Sequence, residues 1–193
     1  MMMFYVLLPR VIPFFLSYGE CNEIQRQVTG KSRVEISGIT NINDFHCLSV
    51  NYEGQDIIEE SCSQNDDKSS LSGEIVMKSV GFDCHNSTMT KDFAKTIKAN
   101  EYPEIGIRFI ELQRDQSNTD LLFGDVEIAL AGKSKTYTVS CLIKDENKQR
   151  KYLEGACTFR FSDFDLEPPS KLFGAIRVKD TISVDFHLKL KMV

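Results

Sequence analysis

TISVDFHLKLKMV, Thr181 to Val193, sets Ile182, Val184, Phe186, Leu188, Leu190 and Met192 against Ser183, Asp185, His187, Lys189 and Lys191. These six apolar positions at period two read as a half-buried β-strand, because successive side chains of a strand point to opposite faces. Such a strand needs an apolar partner surface, and the chain before it supplies several. Leu153 to Phe161 places Leu153, Gly155, Cys157, Phe159 and Phe161 on one face. Thr136 to Lys144 does the same with Tyr137, Val139, Cys141 and Ile143, and Leu121 to Leu130 with Val126, Ile128 and Leu130. Ala131-Gly132-Lys133-Ser134 reads as a turn, and Asp145 to Lys151 (DENKQRK) as a charged loop.

The first half is less regular. Val34 and Ile36 alternate within Lys31 to Gly38, and Ile75, Met77 and Val80 lie in a strand from Leu71 to Phe82. Phe45 to Tyr52 and Asp56 to Ser63 flank Glu53-Gly54-Gln55. Glycine supplies the positive φ of a tight loop, which predicts an antiparallel hairpin there. Ser63 to Ser70 (SQNDDKSS) has nothing apolar to bury and reads as a solvated loop. A strand from Glu104 to Gln113 carries Ile105, Ile107 and Phe109 on one face.

One stretch breaks the β pattern. Met89, Phe93 and Ile97 recur at helical spacing, opposite Lys91, Asp92, Lys95 and Lys98, and predict one short amphipathic helix. Tyr102-Pro103 is the expected stop, since proline lacks an N–H and disfavours the α region in its predecessor. Several antiparallel strands with one apolar face each require a common interior. The fold class expected is all-β: a closed antiparallel barrel of about eight strands, lipocalin-like, with the helix covering one end.

The chain has 193 residues, a net charge of −5, six cysteines and no tryptophan. The acidic balance argues against a nucleic-acid partner. Phe4 to Gly19 is apolar apart from Arg10. It is too short and too interrupted by proline for a membrane span, so no stable span is expected, and residues 1–20 are read as an export leader. Residues 21–30 are then a linker and 31–193 a single barrel domain, with a periplasmic or secreted location.

Six segments resemble the YceI-like family, among them Met89 to Ile97, which matches its helix. Gly124 to Tyr137 (GDVEIALAGKSKTY) is similar to its G-D-L-T-x-x-G-x-T-K strand–turn–strand, and Ala99 to Ile105 (ANEYPEI) to the A-x-x-Y-P-x-I after its helix. Ser162 to Leu166 (SDFDL), Phe173-Gly174 and Gly38 to Cys47 (GITNINDFHC) resemble further segments in the same order. The chain departs at Phe161, where many members carry Arg, at Asp165 in place of Gly, and in lacking the tryptophan of the first strands. The resemblance implies an exported barrel that holds a long apolar chain, an isoprenoid or a fatty-acid-like lipid. The residues expected to line such a pocket are Met89, Phe93, Ile97, Phe109, Phe159, Phe161, Val184, Phe186 and Leu188. The opposing reading makes all of them plain core, in a solid structural or protein-interaction barrel, since apolar strand faces are usually packed.

Catalysis finds little support. The sequence holds no G-x-S-x-G, H-E-x-x-H or glycine-rich phosphate loop, so no catalytic residue and no cofactor are expected. Asp163 and Asp165 are the nearest thing to paired carboxylates, and beside Pro168-Pro169 they read as turn residues. His46-Cys47 and Cys84-His85 contain a zinc ligand set, but adjacent strand residues face opposite sides, so no metal is expected. A disulfide suits these cysteines better in an oxidising compartment. Cys141 with Cys157, Cys47 with Cys62, and Cys47 with Cys84 are all open pairings.

Overall fold

The structure is a computed structural model that describes residues 23–50, 52–62 and 69–193. The expected leader, Cys21 and the side chain of Cys62 lie outside the described residues. In chain order the strands are β1 (Ile24–Val28), β2 (Arg33–Thr40), β3 (Asp44–Ser49), β4 (Ile57–Cys62), β5 (Ser69–Lys78) and the short β6 (Phe82–Asp83). The helix α1 (Ser87–Thr96) follows. Then come β7 (Glu104–Arg114), β8 (Leu121–Leu130), β9 (Lys133–Asn147), β10 (Arg150–Arg160), the short β11 (Ser170–Lys171) and β12 (Ile176–Met192).

Eight strands close a ring in the order β1–β4–β5–β7–β8–β9–β10–β12, with β12 returning to β1 through Arg26↔Met192 and Val28↔Leu190. Every pairing in the ring is antiparallel. The stretch read first, within β12, is its longest stave: it pairs β10 along one edge and β2 and β1 in turn along the other. The β8–β9 turn is a two-residue hairpin between Leu130 and Lys133, with positive φ at both Ala131 and Gly132, which matches the twist of the strands it joins.

Two expectations are corrected here. Residues 21–30, expected as a linker, contain β1, which closes the barrel. Its sequence IQRQV hides the alternation because Arg26 takes an inward position between Ile24 and Val28. The hairpin expected around Gly54 does not form either: β3 pairs β2 and β6, while β4 pairs β1 and β5. Gly54 does have a positive φ of 75°, but it serves a close crossing. A Cβ there would lie 2.1 Å from the Gly30 amide nitrogen of the β1–β2 connection.

The interior is one continuous apolar core drawn from the inward face of every stave. The upper end, where β5 stops and β7 starts, is covered by α1 and by the 3₁₀ turn Phe161–Phe164. The lower end holds a different population. Arg26 and Glu60 are 3% and 4% exposed there. Glu60 takes the Arg26 Nε at 2.5 Å and the Lys151 Nζ at 2.5 Å, with an Arg114 Nη2 at 3.8 Å. Burial would raise the Glu60 pKa, but hydrogen bonds from Lys151 and Arg26 and their charges outweigh it and hold the carboxyl below its ordinary value.

Candidate functional site

The helix is placed by its caps. The Asn86 Oδ1 accepts the backbone N–H of Thr88 and of Met89 at 3.0 and 3.1 Å, which starts α1 at Ser87. The end comes earlier than Tyr102-Pro103. Lys98 adopts a left-handed φ of 53°, and the amides of Lys98 and Ala99 turn back onto the carbonyls of Lys95 and Ala94. That is a Schellman closure with lysine in the usual glycine position. Pro103 instead receives the Ser79 amide on its carbonyl at the start of β7.

Between these caps Phe93 and Ile97 are buried, and Met89 packs half-buried against the same core. Phe93 meets Phe82 edge-on with ring centroids 5.7 Å apart. Beneath them lies a cavity of about 40 Å³ lined only by apolar side chains. Phe93, Ile97, Phe159, Phe161 and Val184 are among them, as the periodicity implied. The wall adds Met77, Ile105, Ile107, Ile128 and Leu130, which sequence reasoning left out. Their alternation was visible; what was hidden is that these particular inward positions sit at the helix end of their strands.

A second space lies outside the first. A groove of about 330 Å³ runs between α1, the β2–β3 turn and the start of β12. Met89, Phe45, Ile176 and Val178 line it, and the Asp92–Lys171 ion pair at 2.5 Å spans it. Phe93 and Phe161 line both spaces, so their rings form the partition between groove and cavity. Ligand pockets for drug-sized molecules run to roughly 300–1,000 Å³. The groove reaches that range and the inner cavity does not.

Phe109, Phe186 and Leu188 lie deeper. The inner cavity is lined as far as Ile107 and Val184, and the next inward positions on those two strands are Phe109 and Phe186. Their rings meet edge-to-face at 6.0 Å and cross the middle of the barrel. Gly155 makes room for this layer: it sits opposite Phe186, and a Cβ on it would lie 2.5 Å from the Phe186 Cζ. Leu188, one inward position further along β12, is fully buried below them.

The cysteines resolve one of the open pairings. Cys47 and Cys84 form a disulfide between β3 and the residue just after β6, which also removes both thiolates of the alternative zinc set. Cys47 is therefore not joined to Cys62. Cys141 and Cys157 are free thiols. They are not direct cross-strand neighbours: the register set by Arg150↔Asn147 already misses Cys157 by one residue, and the irregularity at Arg150/Lys151 adds a second, which puts Cys141 opposite Gly155. Burial, and then the neighbouring Cys157, push the Cys141 thiol up to about 12, and burial raises Cys157 as well. Both shifts favour the protonated thiol over the reactive thiolate.

The two carboxylates weighed for acid–base work have local duties. Asp163 accepts the Arg160 amide at 2.9 Å and the Tyr137 hydroxyl at 3.0 Å. Asp165 ends the 3₁₀ turn with a φ of 51° and pairs with Lys133, which holds its carboxyl below the ordinary value. Among the described residues no three His, Cys, Asp or Glu side chains are grouped to hold a metal ion. No helix among them is long and apolar enough to cross a membrane.

No family model matches the sequence, and no curated protein matches it. Solved structures do resemble its fold. BcnA of Burkholderia cenocepacia superposes with a TM-score of 0.64 at 15% identity, over 82% of this chain and 96% of that one. A polyisoprenoid binding domain from Saccharophagus degradans, implicated in plant cell wall breakdown, gives 0.57 at 11% identity, over 89% of this chain and all of its own. The YceI protein of Campylobacter jejuni gives 0.50 at 12% identity, covering 97% of each chain. The chain thus has the fold of YceI-like barrels.

Proposed function

We propose that this protein binds a long apolar chain, an isoprenoid or a fatty-acid-like lipid, and acts by sequestering or carrying it. The observation that carries this reading is the shared partition. Phe93 and Phe161 separate a groove of ligand size from an all-apolar cavity beneath the helix. Rotating two rings, or lifting α1, joins the two spaces into one apolar path. A chain entering there meets Met89, Phe93 and Ile97 from the helix and Phe159, Phe161 and Val184 from the barrel. Phe109, Phe186 and Leu188 form its deep end. The name of the S. degradans domain, a polyisoprenoid binder of similar fold, supports the same ligand class.

The alternative, a solid-cored structural or protein-interaction barrel, draws on the small volume of the inner cavity, about 40 Å³. Uptake decides between them. Delipidated protein is titrated with a fluorescent fatty acid and a fluorescent isoprenoid, and native mass spectrometry looks for a co-purifying lipid. Saturable uptake that falls when Ile107→Phe fills the inner cavity supports carriage. If neither probe binds and no lipid co-purifies, the solid barrel is the correct reading.

Export belongs to the same proposal. The Cys47–Cys84 disulfide suits an oxidising compartment, and residues 1–20 have the apolar character of a leader. N-terminal sequencing of the mature protein tests it: a start near Tyr18 to Cys21 fits a cleaved leader, and a start at Met1 in the reducing cytoplasm overturns it.

A further inference from the structure

The loop between β11 and β12 carries its apolar side chains the wrong way round. Leu172 is 70% exposed and Phe173 112% exposed, the latter more open than in a free peptide reference. Both have left-handed backbones, with φ of 50° and 53°, a region that bulky residues rarely enter. The loop is nevertheless anchored. Ser170 and Lys171 pair with Arg177 and Ile176, the Ala175 amide donates to the Leu172 carbonyl, and Lys171 is ion-paired to Asp92 on α1.

A second loop is fastened beside it. The Asn41 side chain donates to the Ala175 carbonyl and accepts the Arg177 amide, at 2.8 and 2.9 Å, and the Asn41 amide donates to the Arg177 carbonyl at 3.1 Å. Ile42, next in the chain, is 66% exposed. Ile42, Lys171 and Ile176 also line the groove, so the exposed apolar tips stand on its rim. The charge around them departs from the rest of the molecule. Between Glu167 and Asp180 the segment carries Lys171, Arg177 and Lys179 and no acidic residue, in a chain of net charge −5, and Lys171 among them is paired with Asp92.

We propose that this rim docks on an anionic lipid surface, with Leu172 and Phe173 entering the interface and Arg177 and Lys179 facing the headgroups, while Lys171 stays paired with Asp92. Apolar side chains held at a loop tip beside the cations Arg177 and Lys179 match the two requirements of such a surface: an apolar layer beneath a negative one. Docking in this orientation opens the groove towards the acyl chains, so the proposal deepens the lipid-carrying reading and rests on it for its purpose.

The absence of tryptophan provides the test. Phe173→Trp in the full chain is the sole tryptophan reporter. With vesicles of phosphatidylethanolamine and phosphatidylglycerol, its emission should move to the blue and be quenched by brominated acyl chains, less so with phosphatidylcholine alone or at high salt. Leu172→Ser with Phe173→Ser should lower vesicle co-sedimentation by about tenfold or more. Uptake of a fluorescent fatty acid delivered in solution should stay unchanged in that variant. The proposal is overturned if the tryptophan stays water-like with every vesicle, if the double variant co-sediments as well as the parent, or if the blue shift follows protein concentration without vesicles. The last result would mean that a second copy covers the tip. Vesicle docking without any fatty-acid uptake would leave this surface standing and remove the carriage reading instead.

Discussion

The two ends of the barrel are built from opposite materials. At the upper end α1 and the Phe161–Phe164 turn cover an apolar space, and the side chains around it are held by dispersion and by exclusion from water. At the lower end a single carboxylate, Glu60, gathers Arg26, Lys151 and Arg114 inside the wall. Apolar contacts are non-directional and tolerate a rearranged neighbour. A buried charge cluster has one good arrangement, and losing a partner leaves the others unpaired. The contrast implies that the molecule gives way first at the helix end and holds firm at the other.

The largest expected effect tests the firm end. Glu60→Gln keeps the shape but leaves Arg26 and Arg114 facing a neutral amide, with Lys151 retaining only the exposed Asp145 at 3.6 Å, and should cost about 3–5 kcal/mol of folding stability in denaturant titration. The pH dependence follows. The folded Glu60 carboxyl titrates below its ordinary 4.5, so its contribution is complete above that value and is lost as the pH falls through the lower folded one. The parent should therefore lose stability on acidification below about pH 4.5, and Glu60→Gln should show a shallower loss across the same window. Equal slopes would show that the cluster is not electrostatically distinct, and the comparison would fail.

The yielding end should respond differently. Phe93→Ala removes half of the partition and should cost about 3 kcal/mol, at the low end of such truncations because the site already borders a cavity. Its second signature matters more: uptake of an apolar probe should rise, since groove and cavity become continuous. A cost above that range with no gain in uptake would make Phe93 ordinary core.

The Cys47–Cys84 bond is the covalent brace of that same end. It spans 37 residues of sequence and fixes the segment that leads into α1. Cys47→Ser with Cys84→Ser should cost about 2–3 kcal/mol. Hydrogen exchange should quicken in α1 and in β3 while the amides of β1 and β4 around Arg26 and Glu60 keep their protection. Uniform acceleration would mean the two ends open together.

How much of this contrast could be read from sequence differs between the ends. The staves from Leu121 onward alternate cleanly, so the barrel, its helix and the inward set Phe93, Ile97, Phe159, Phe161 and Val184 were legible. The lower end was not. Arg26 and Glu60 lie 34 residues apart in sequence and read locally as polar strand positions. Only the β1–β4 register turns them inward together. The false hairpin at Gly54 has a related cause: a glycine with positive φ is needed equally by a tight turn and by a close crossing, and the sequence shows only the glycine. Cys141 and Cys157 were misplaced because the turn and the irregularity after it each move the register by one residue, and neither shows in the sequence. Space is the other illegible quantity, since a strand face looks the same whether it touches a ring or borders a cavity.

The smallest expected effect falls between the ends, at the layer that divides them. Gly155 faces Phe186, and a methyl group there would lie 2.5 Å from its Cζ and 3.0 Å from the Cys141 Sγ. Gly155→Ala therefore forces the Phe186 ring to move. If the Phe109–Phe186 layer is as tightly packed as the charged end below it, the strain should cost about 1–3 kcal/mol and leave probe uptake unchanged. If the ring swings upward into the cavity instead, stability should change by less than about 1 kcal/mol, within the cost of a tolerated repacking, while uptake falls. The first outcome places the boundary between solid and hollow at Phe186, and the second moves it up to Val184. Thermal unfolding and a fluorescent fatty-acid titration on one variant therefore locate the floor of the cavity.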